Sequence, residues 1–167
     1  TASGMAAITL VLHLLQPGDR LVVPHDGYGG SWRLFKALAA KGHFGLVLAD
    51  LPDPRALAAA LEPAPKLVWI ETPSNPLLRI TDLRFVIDAA HRAGALALVD
   101  NTFLSPALQT PIDFGADIVV HSLTKYLGGH GNSIGGVIVD SGEFPWADHK
   151  AKFKRFNEPD PSYHGVV

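Results

Sequence analysis

Ala95-Leu96-Ala97-Leu98-Val99-Asp100 is an apolar run with no polar alternation, closed by a single carboxylate. Apolar on both faces, it reads as a strand buried inside a parallel sheet, with Asp100 at the C-terminal edge, where open α/β sheets place their ligand sites. Upstream, Asp82 is an N-cap signal for a helix carrying Leu83, Val86, Ile87 and Ala90, and Gly94 stops it. Lys66 to Glu71 is predicted as another strand. The following Thr72-Pro73-Ser74-Asn75-Pro76 is a loop, because two prolines remove donors and bias their neighbours to extended backbone.

The same alternation continues in both directions. Asp53-Pro54, a cap followed by proline at the first helical position, starts an alanine-rich helix ending near Glu62. Before it come a strand from Phe44 to Ala49 and a helix from Gly30 to Lys41 bearing Trp32, Leu34, Phe35 and Leu38. Arg20 to Pro24 is a further strand, and Ser3-Gly4 opens a helix with Ile8, Leu12 and Leu15 on one face, ended by Pro17-Gly18-Asp19. Downstream, Asp117 to His121 is a strand leading into His121-Ser122-Leu123-Thr124-Lys125-Tyr126-Leu127-Gly128-Gly129-His130, and Ile134 to Val139 is another. Strands separated by helices of this length predict an α/β fold, a three-layer α/β/α domain with a mostly parallel sheet. In the polar tail from Glu143, the basic run Lys150, Lys152, Lys154 and Arg155 is expected to be a solvated helix face.

Composition narrows the classes of function. The chain has 167 residues, 47% of them hydrophobic and 18% charged, which fits one globular domain with its own core. Lysine and arginine total 14 against 16 aspartate and glutamate, a net charge of −2 that offers no footprint for nucleic acid or an anionic membrane. No apolar run approaches the roughly 18 residues of a membrane span and no secretory pattern opens the chain, so a cytoplasmic protein is expected. With no cysteine, disulfides and thiolate metal sites are excluded. Thr1 in place of an initiator methionine and the apolar end at Gly165-Val166-Val167 suggest a piece of a longer protein.

The chemistry centres on Lys125, framed by two hydroxyls and followed by glycines. A lysine amine forms an imine only when neutral, so this reading asks for burial or nearby cations around it. Paired with a carboxylate such as Asp100, which would hold a ring nitrogen protonated, such a lysine points to a pyridoxal phosphate site. Phosphate donors would come from Gly4 and Met5 at a helix N-terminus and from Ser122 and Thr124 beside the lysine. Tyr28, in a glycine-rich turn, suits stacking on a flat heterocycle with its phenol free for proton transfer. Asn75 would donate to a ring oxygen or a substrate carboxylate, and Glu71 would orient its neighbours. The 8 histidines, His121 and His130 among them, show no ligand spacing with carboxylates, so no metal site is expected. The glycines after Lys125 do not form a dinucleotide fingerprint, since no Gly-x-Gly-x-x-Gly follows a strand and opens a helix.

Ser3-Gly4-Met5-Ala6-Ala7, Tyr28-Gly29-Gly30, Glu71-Thr72-Pro73-Ser74-Asn75-Pro76, Val99-Asp100-Asn101-Thr102-Phe103 and Ser122-Leu123-Thr124-Lys125-Tyr126 together resemble the Cys/Met metabolism family of pyridoxal phosphate enzymes. The resemblance implies the aspartate-aminotransferase-like fold (fold type I), with residues 1–167 forming the cofactor-binding large domain and an N-terminal arm and C-terminal domain absent. It implies a homotetramer of dimers that share active sites, small amino-acid substrates, and chemistry at the β- or γ-carbon of sulfur amino acids and activated homoserine. By motif, Lys125 would carry the imine and shuttle protons, Asp100 would meet the ring nitrogen and Tyr28 would stack on the ring. Gly4, Met5, Ser122 and Thr124 would hold the phosphate, Asn75 would contact the ring oxygen and Thr102 would lie near the pyridine.

Within the family, Pro24 to Phe35 and Asn101 to Gln109 look most like the cystathionine γ-synthases. Gly129 to Gly136 and Glu158 to Gly165 look more like the O-acetylhomoserine sulfhydrylases. The expected reaction is therefore γ-replacement on an O-acylhomoserine by a thiol, in methionine and cysteine biosynthesis, with cysteine or sulfide as acceptor. Elimination by a γ- or β-lyase, an inactive cofactor-binding or oligomerising fragment, and a cofactor-free lysine aldolase are the alternatives. The family's upstream tyrosine-arginine pair and its C-terminal arginine for the substrate carboxylate lie outside these residues, so the piece alone is expected to be weak or inactive.

Overall fold

A computed structural model describes all residues from Thr1 to Val167. Five helices, α1 (Gly4–Leu12), α2 (Gly29–Ala40), α3 (Pro54–Ala60), α4 (Leu83–Arg92) and α5 (Ser105–Leu108), alternate with strands along the chain. The strands are β1 (Arg20–Pro24), β2 (Gly45–Ala49), β3 (Leu67–Glu71), β4 (Leu96–Asp100), β5 (Ile118–Ser122) and β6 (Gly136–Asp140). They form a six-stranded sheet in the order β2-β1-β3-β4-β5-β6. Every pairing from β2 to β5 is parallel, and β6 joins β5 antiparallel. No helix is long and apolar enough to cross a membrane.

Side-chain alternation along the central strands divides the core into two layers. Val68 and Ile70 of β3, with Ala97 and Val99 of β4, face Leu57 and Ala60 of α3 and Val86, Ile87 and Ala90 of α4. Leu67, Trp69, Leu96 and Leu98 point the other way, onto Ile8, Val11 and Leu12 of α1 and Phe35 of α2. Both faces are covered, which is why β3 and β4 are apolar at successive positions and buried throughout. In α4 the Asp82 carboxylate accepts from the Phe85 amide. That cap contributes about 1 kcal/mol, against about 1.5–3 kcal/mol for each fully buried aliphatic side chain. The cap decides where the helix begins, and the apolar face decides where it lies.

Buried Asp117 ties this layer together. Its carboxylate accepts from the Ala97 amide at 2.7 Å and pairs with His91 Nε2 of α4 at 2.9 Å. Replacing Asp117 with alanine leaves a buried amide unpaired and is expected to destabilise the chain by about 2 kcal/mol, read as a lower urea midpoint with an unchanged slope.

Two expectations need correction, and one segment was not anticipated. The last strand begins at Gly136, not Ile134, which stands 75% exposed before it. Between β4 and β5 the chain forms α5 and a 3-10 turn, Pro111–Phe114, which hydrophobic periodicity does not announce. The tail forms no basic helix face. Two 3-10 turns, Trp146–His149 and Lys154–Phe156, flank a buried Phe153 instead. Trp146 meets Phe144 edge to face, with centroids 4.6 Å apart, and Phe156 at a tilt, with centroids 4.9 Å apart. Aromatic burial outweighs the small helical propensity of the lysines here, and Lys152 turns inward to the Gly94 carbonyl.

Candidate active site

The C-terminal ends of β1, β3, β4 and β5 point to one edge of the sheet. β1 is flanked by β2 on one side and β3 on the other, so successive connections leave in opposite directions and open a crevice there. A cavity of about 460 Å3 occupies this edge. Tyr28, Asn75, Asp100 and Lys125, each from the loop or end of a different strand, all line it. Gly4, Met5, Thr102, Ser122 and Thr124 complete the set expected from sequence, and all of them reach the same cavity.

Each loop is held by specific bonds. After β1, Tyr28 caps α2, and its amide donates to Glu71 Oε2 at 2.8 Å. A Cβ on Gly30 would collide with the Tyr28 ring, so glycine is what lets the ring lie against the helix start. After β3, the Ser74 hydroxyl donates to Asp26 at 2.8 Å and Arg79 pairs with Asp50 at 2.8 Å, fixing the loop that carries Asn75. After β4, the Thr102 amide donates to Asp100 Oδ1 at 3.1 Å, while the Thr102 hydroxyl oxygen accepts from the Ser122 amide at 2.8 Å. Thr102 thereby joins the end of β4 to the end of β5. Beyond β5, the Lys125 amide donates to the Ser122 carbonyl at 3.2 Å and the Gly129 amide to the Lys125 carbonyl at 2.9 Å, closing a tight turn.

The N-terminus of α1 packs against this turn. A Cβ on Gly4 would stand 2.6 Å from Ser122 Cβ, so only glycine allows the approach. Ser3 satisfies the Ala6 and Ala7 amides. The Gly4 and Met5 amides head the helix, where no intrahelical acceptor exists. Together with the Ser122 hydroxyl they make an anion cradle at the positive end of the helix dipole. The Thr124 hydroxyl differs, since it both donates to the Gly135 carbonyl (3.4 Å) and accepts from the Gly135 amide (3.2 Å).

Two buried carboxylates dominate the electrostatics. Glu71 and Asp100 sit opposite each other in the β3–β4 register, and neither forms an ion pair. Burial raises the Glu71 carboxyl to about 7; the Tyr28 amide opposes this, Asp100 adds to it by repulsion, and the Asn75 amide opposes it more weakly. Burial also raises Asp100, against the hydroxyl and amide of Thr102. Such a wall favours a cationic group placed against it. His121, held by its Nδ1 to the Asn101 carbonyl at 3.1 Å, lines the same cavity, and burial lowers its pKa. Lys125 departs from expectation. It is exposed and in no ion pair, so this chain by itself does not supply the burial that was one of the two ways, with nearby cations, to keep the amine neutral.

Sequence reasoning missed Phe103 and Tyr126, whose rings meet edge to face with centroids 5.8 Å apart and line the cavity. The available signal was their position, each directly after a residue already singled out. The donor set fits a phosphorylated pyridine aldehyde: the cradle at Gly4, Met5 and Ser122 suits the phosphate, and the uncompensated Asp100 carboxylate suits a protonated ring nitrogen.

Known proteins place the chain. Cystathionine gamma-synthase of Escherichia coli (strain K12) is 54% identical over 140 residues, covering 83% of this chain and 36% of that protein. O-acetyl-L-homoserine sulfhydrylase of Leptospira meyeri is 44% identical over 171 residues, covering 99% of this chain and 37% of that protein. The crystal structure of cystathionine gamma synthase from Xanthomonas oryzae pv. oryzae, in complex with aminoacrylate and cysteine, superposes with a TM-score of 0.84 at 70% identity, over 84% of this chain and 37% of that one. The chain thus spans little more than a third of these relatives' length. The family model for Cys/Met metabolism PLP-dependent enzymes matches residues 1–161, and with these relatives it shows that the chain belongs to that family.

Proposed function

We propose that the complete protein carrying this chain performs γ-replacement on an O-acylhomoserine with a thiol, in the manner of a cystathionine γ-synthase. The observation that carries this reading is the convergence of Lys125, Asp100, Tyr28 and the Gly4–Ser122 cradle on one cavity at the edge of the sheet. Identities of 54% and 70% to two γ-synthases favour that branch. Family membership brings pyridoxal 5'-phosphate as the cofactor. When bound, it supplies a cationic conjugated ring that withdraws electrons from bonds at the amino-bearing carbon of the substrate.

The residues of the chain divide the work around that group. The Gly4 and Met5 amides and the Ser122 hydroxyl bind the phosphate, with Thr124 bracing the turn through Gly135. Asp100, held by Thr102, keeps a proton on the ring nitrogen. Tyr28 supplies a flat face and a phenol. Lys125 Nζ would hold the cofactor and, once displaced by the substrate's amine, would be free to move protons at the substrate carbons. Phe103 and Tyr126 form one wall of the cavity.

The deciding experiment assays the complete gene product with O-succinyl- and O-acetylhomoserine, each against cysteine and sulfide. Cystathionine formed from cysteine is the expected product. Homocysteine formed from sulfide in preference assigns the sulfhydrylase reaction, and absence of turnover with all pairs overturns the reading.

A further inference from the structure

Glu71 is a buried acid that the chemistry above does not use. It ends β3 in register with Asp100, lines the cavity, and accepts the Tyr28 amide at 2.8 Å from the β1 loop. The Asn75 amide, in the loop that follows β3, also stabilises its charge. The β1 loop approaches so closely that a Cβ on Gly27 would stand 3.2 Å from Glu71 Oε2. One side chain on a strand fixed in the core therefore holds the loop of Tyr28 by a hydrogen bond and lies near the amide of Asn75 in the next loop. A carboxylate accepts more than one N–H at once, so it can brace two loops where a smaller acceptor would hold one.

We infer that Glu71 is a positioning residue for the proposed reaction, its carboxylate setting Tyr28 and Asn75 over the ring site beside Asp100. This rests on the function proposed above. The charged groups facing Glu71 are Asp100 on β4 and Asp26 in the β1 loop, with Arg79 lying 3.6 Å from Asp26 and Lys125 on the same cavity. No cation pairs with Glu71 directly, which leaves the Tyr28 amide as its hydrogen-bond partner.

The test uses the complete gene product with Glu71→Ala and Glu71→Gln, and pyridoxal phosphate itself as the probe. Glutamine keeps an oxygen acceptor and alanine keeps none. In Glu71→Ala, cofactor Kd by absorbance titration is expected to rise about tenfold, and amide hydrogen exchange in the Tyr28 peptide to speed up about tenfold. Glu71→Gln is expected to restore both to within about threefold. The melting temperature of the cofactor-free protein adds a reading independent of turnover. A carboxyl raised to about 7 in the fold, from 4.5 unfolded, contributes stability that is full below about pH 4.5 and lost as pH rises toward 7. The melting temperature of Glu71→Gln should therefore gain on the parent by several degrees from pH 5 to 8. A parent that takes up no cofactor removes the reading on which the inference rests. A parent that binds, with Glu71→Ala matching it in cofactor affinity, overturns the inference alone.

Discussion

Lys125→Ala in the complete gene product is expected to lower turnover of an O-acylhomoserine by about 10^4-fold or more, the scale seen when a covalent catalytic group is removed. The fold should survive, because the Lys125 side chain is exposed and makes no hydrogen bond or ion pair, and the turn is closed by backbone bonds and the Thr124 hydroxyl, none of which uses it. Lys125→Arg separates charge from chemistry. Arginine keeps the positive charge for the phosphate end of the cavity but stays protonated, so it offers neither an amine nucleophile nor a base. Both variants should melt within about 1 kcal/mol of the parent and lose activity alike. Turnover by Lys125→Arg within tenfold of the parent would show that Lys125 acts only as a cation and remove it from the centre of the site.

Why Lys125 was legible in the sequence, and its exposure was not, is a matter of range. The β4 run announced its burial because helices on both faces demand apolar residues at successive positions, and Asp100 stood out as the charge that broke the run. The caps at Asp53 and Asp82 were legible for the same local reason, a side-chain oxygen next to unpaired amides. Site residues could be picked out one by one because each strand end in a parallel sheet arrives at the same edge. Nothing local reports the antiparallel pairing of β6, which depends on which edge of β5 was free. Nor does local sequence show that Phe103 and Tyr126 share a wall, or that the tail prefers a cluster of crossed rings to a helix. The exposure of Lys125 depends on what covers the cavity, a property no single loop encodes.

Asp100→Asn tests the other half of the site, with opposite effects on stability and on activity. Asparagine is nearly the same size and keeps an oxygen for the Thr102 amide, so packing at the end of β4 is preserved. The charge is what changes. Burial raises the Asp100 carboxyl above its usual 3.8, so the stability that its protonated form contributes is full below that value and is lost as pH rises through the folded-state pKa. With no cationic partner beside it, the cofactor-free parent loses that stability toward alkaline pH, and the variant has none to lose. The cofactor-free variant is therefore expected to be more stable than the parent by about 1–2 kcal/mol at pH 8, with the gap closing toward pH 4. Saturating pyridoxal phosphate should reverse the order, because only the carboxylate gains from a protonated ring nitrogen. Turnover should fall about 10^3-fold, comparable to losing a preorganised electrostatic group in an active site. Melting curves at several pH values, with and without cofactor, read all of this from one variant. A variant less stable than the parent at pH 8 without cofactor, or one that with cofactor turns over within tenfold of the parent, would mean that Asp100 serves the fold and not the ring.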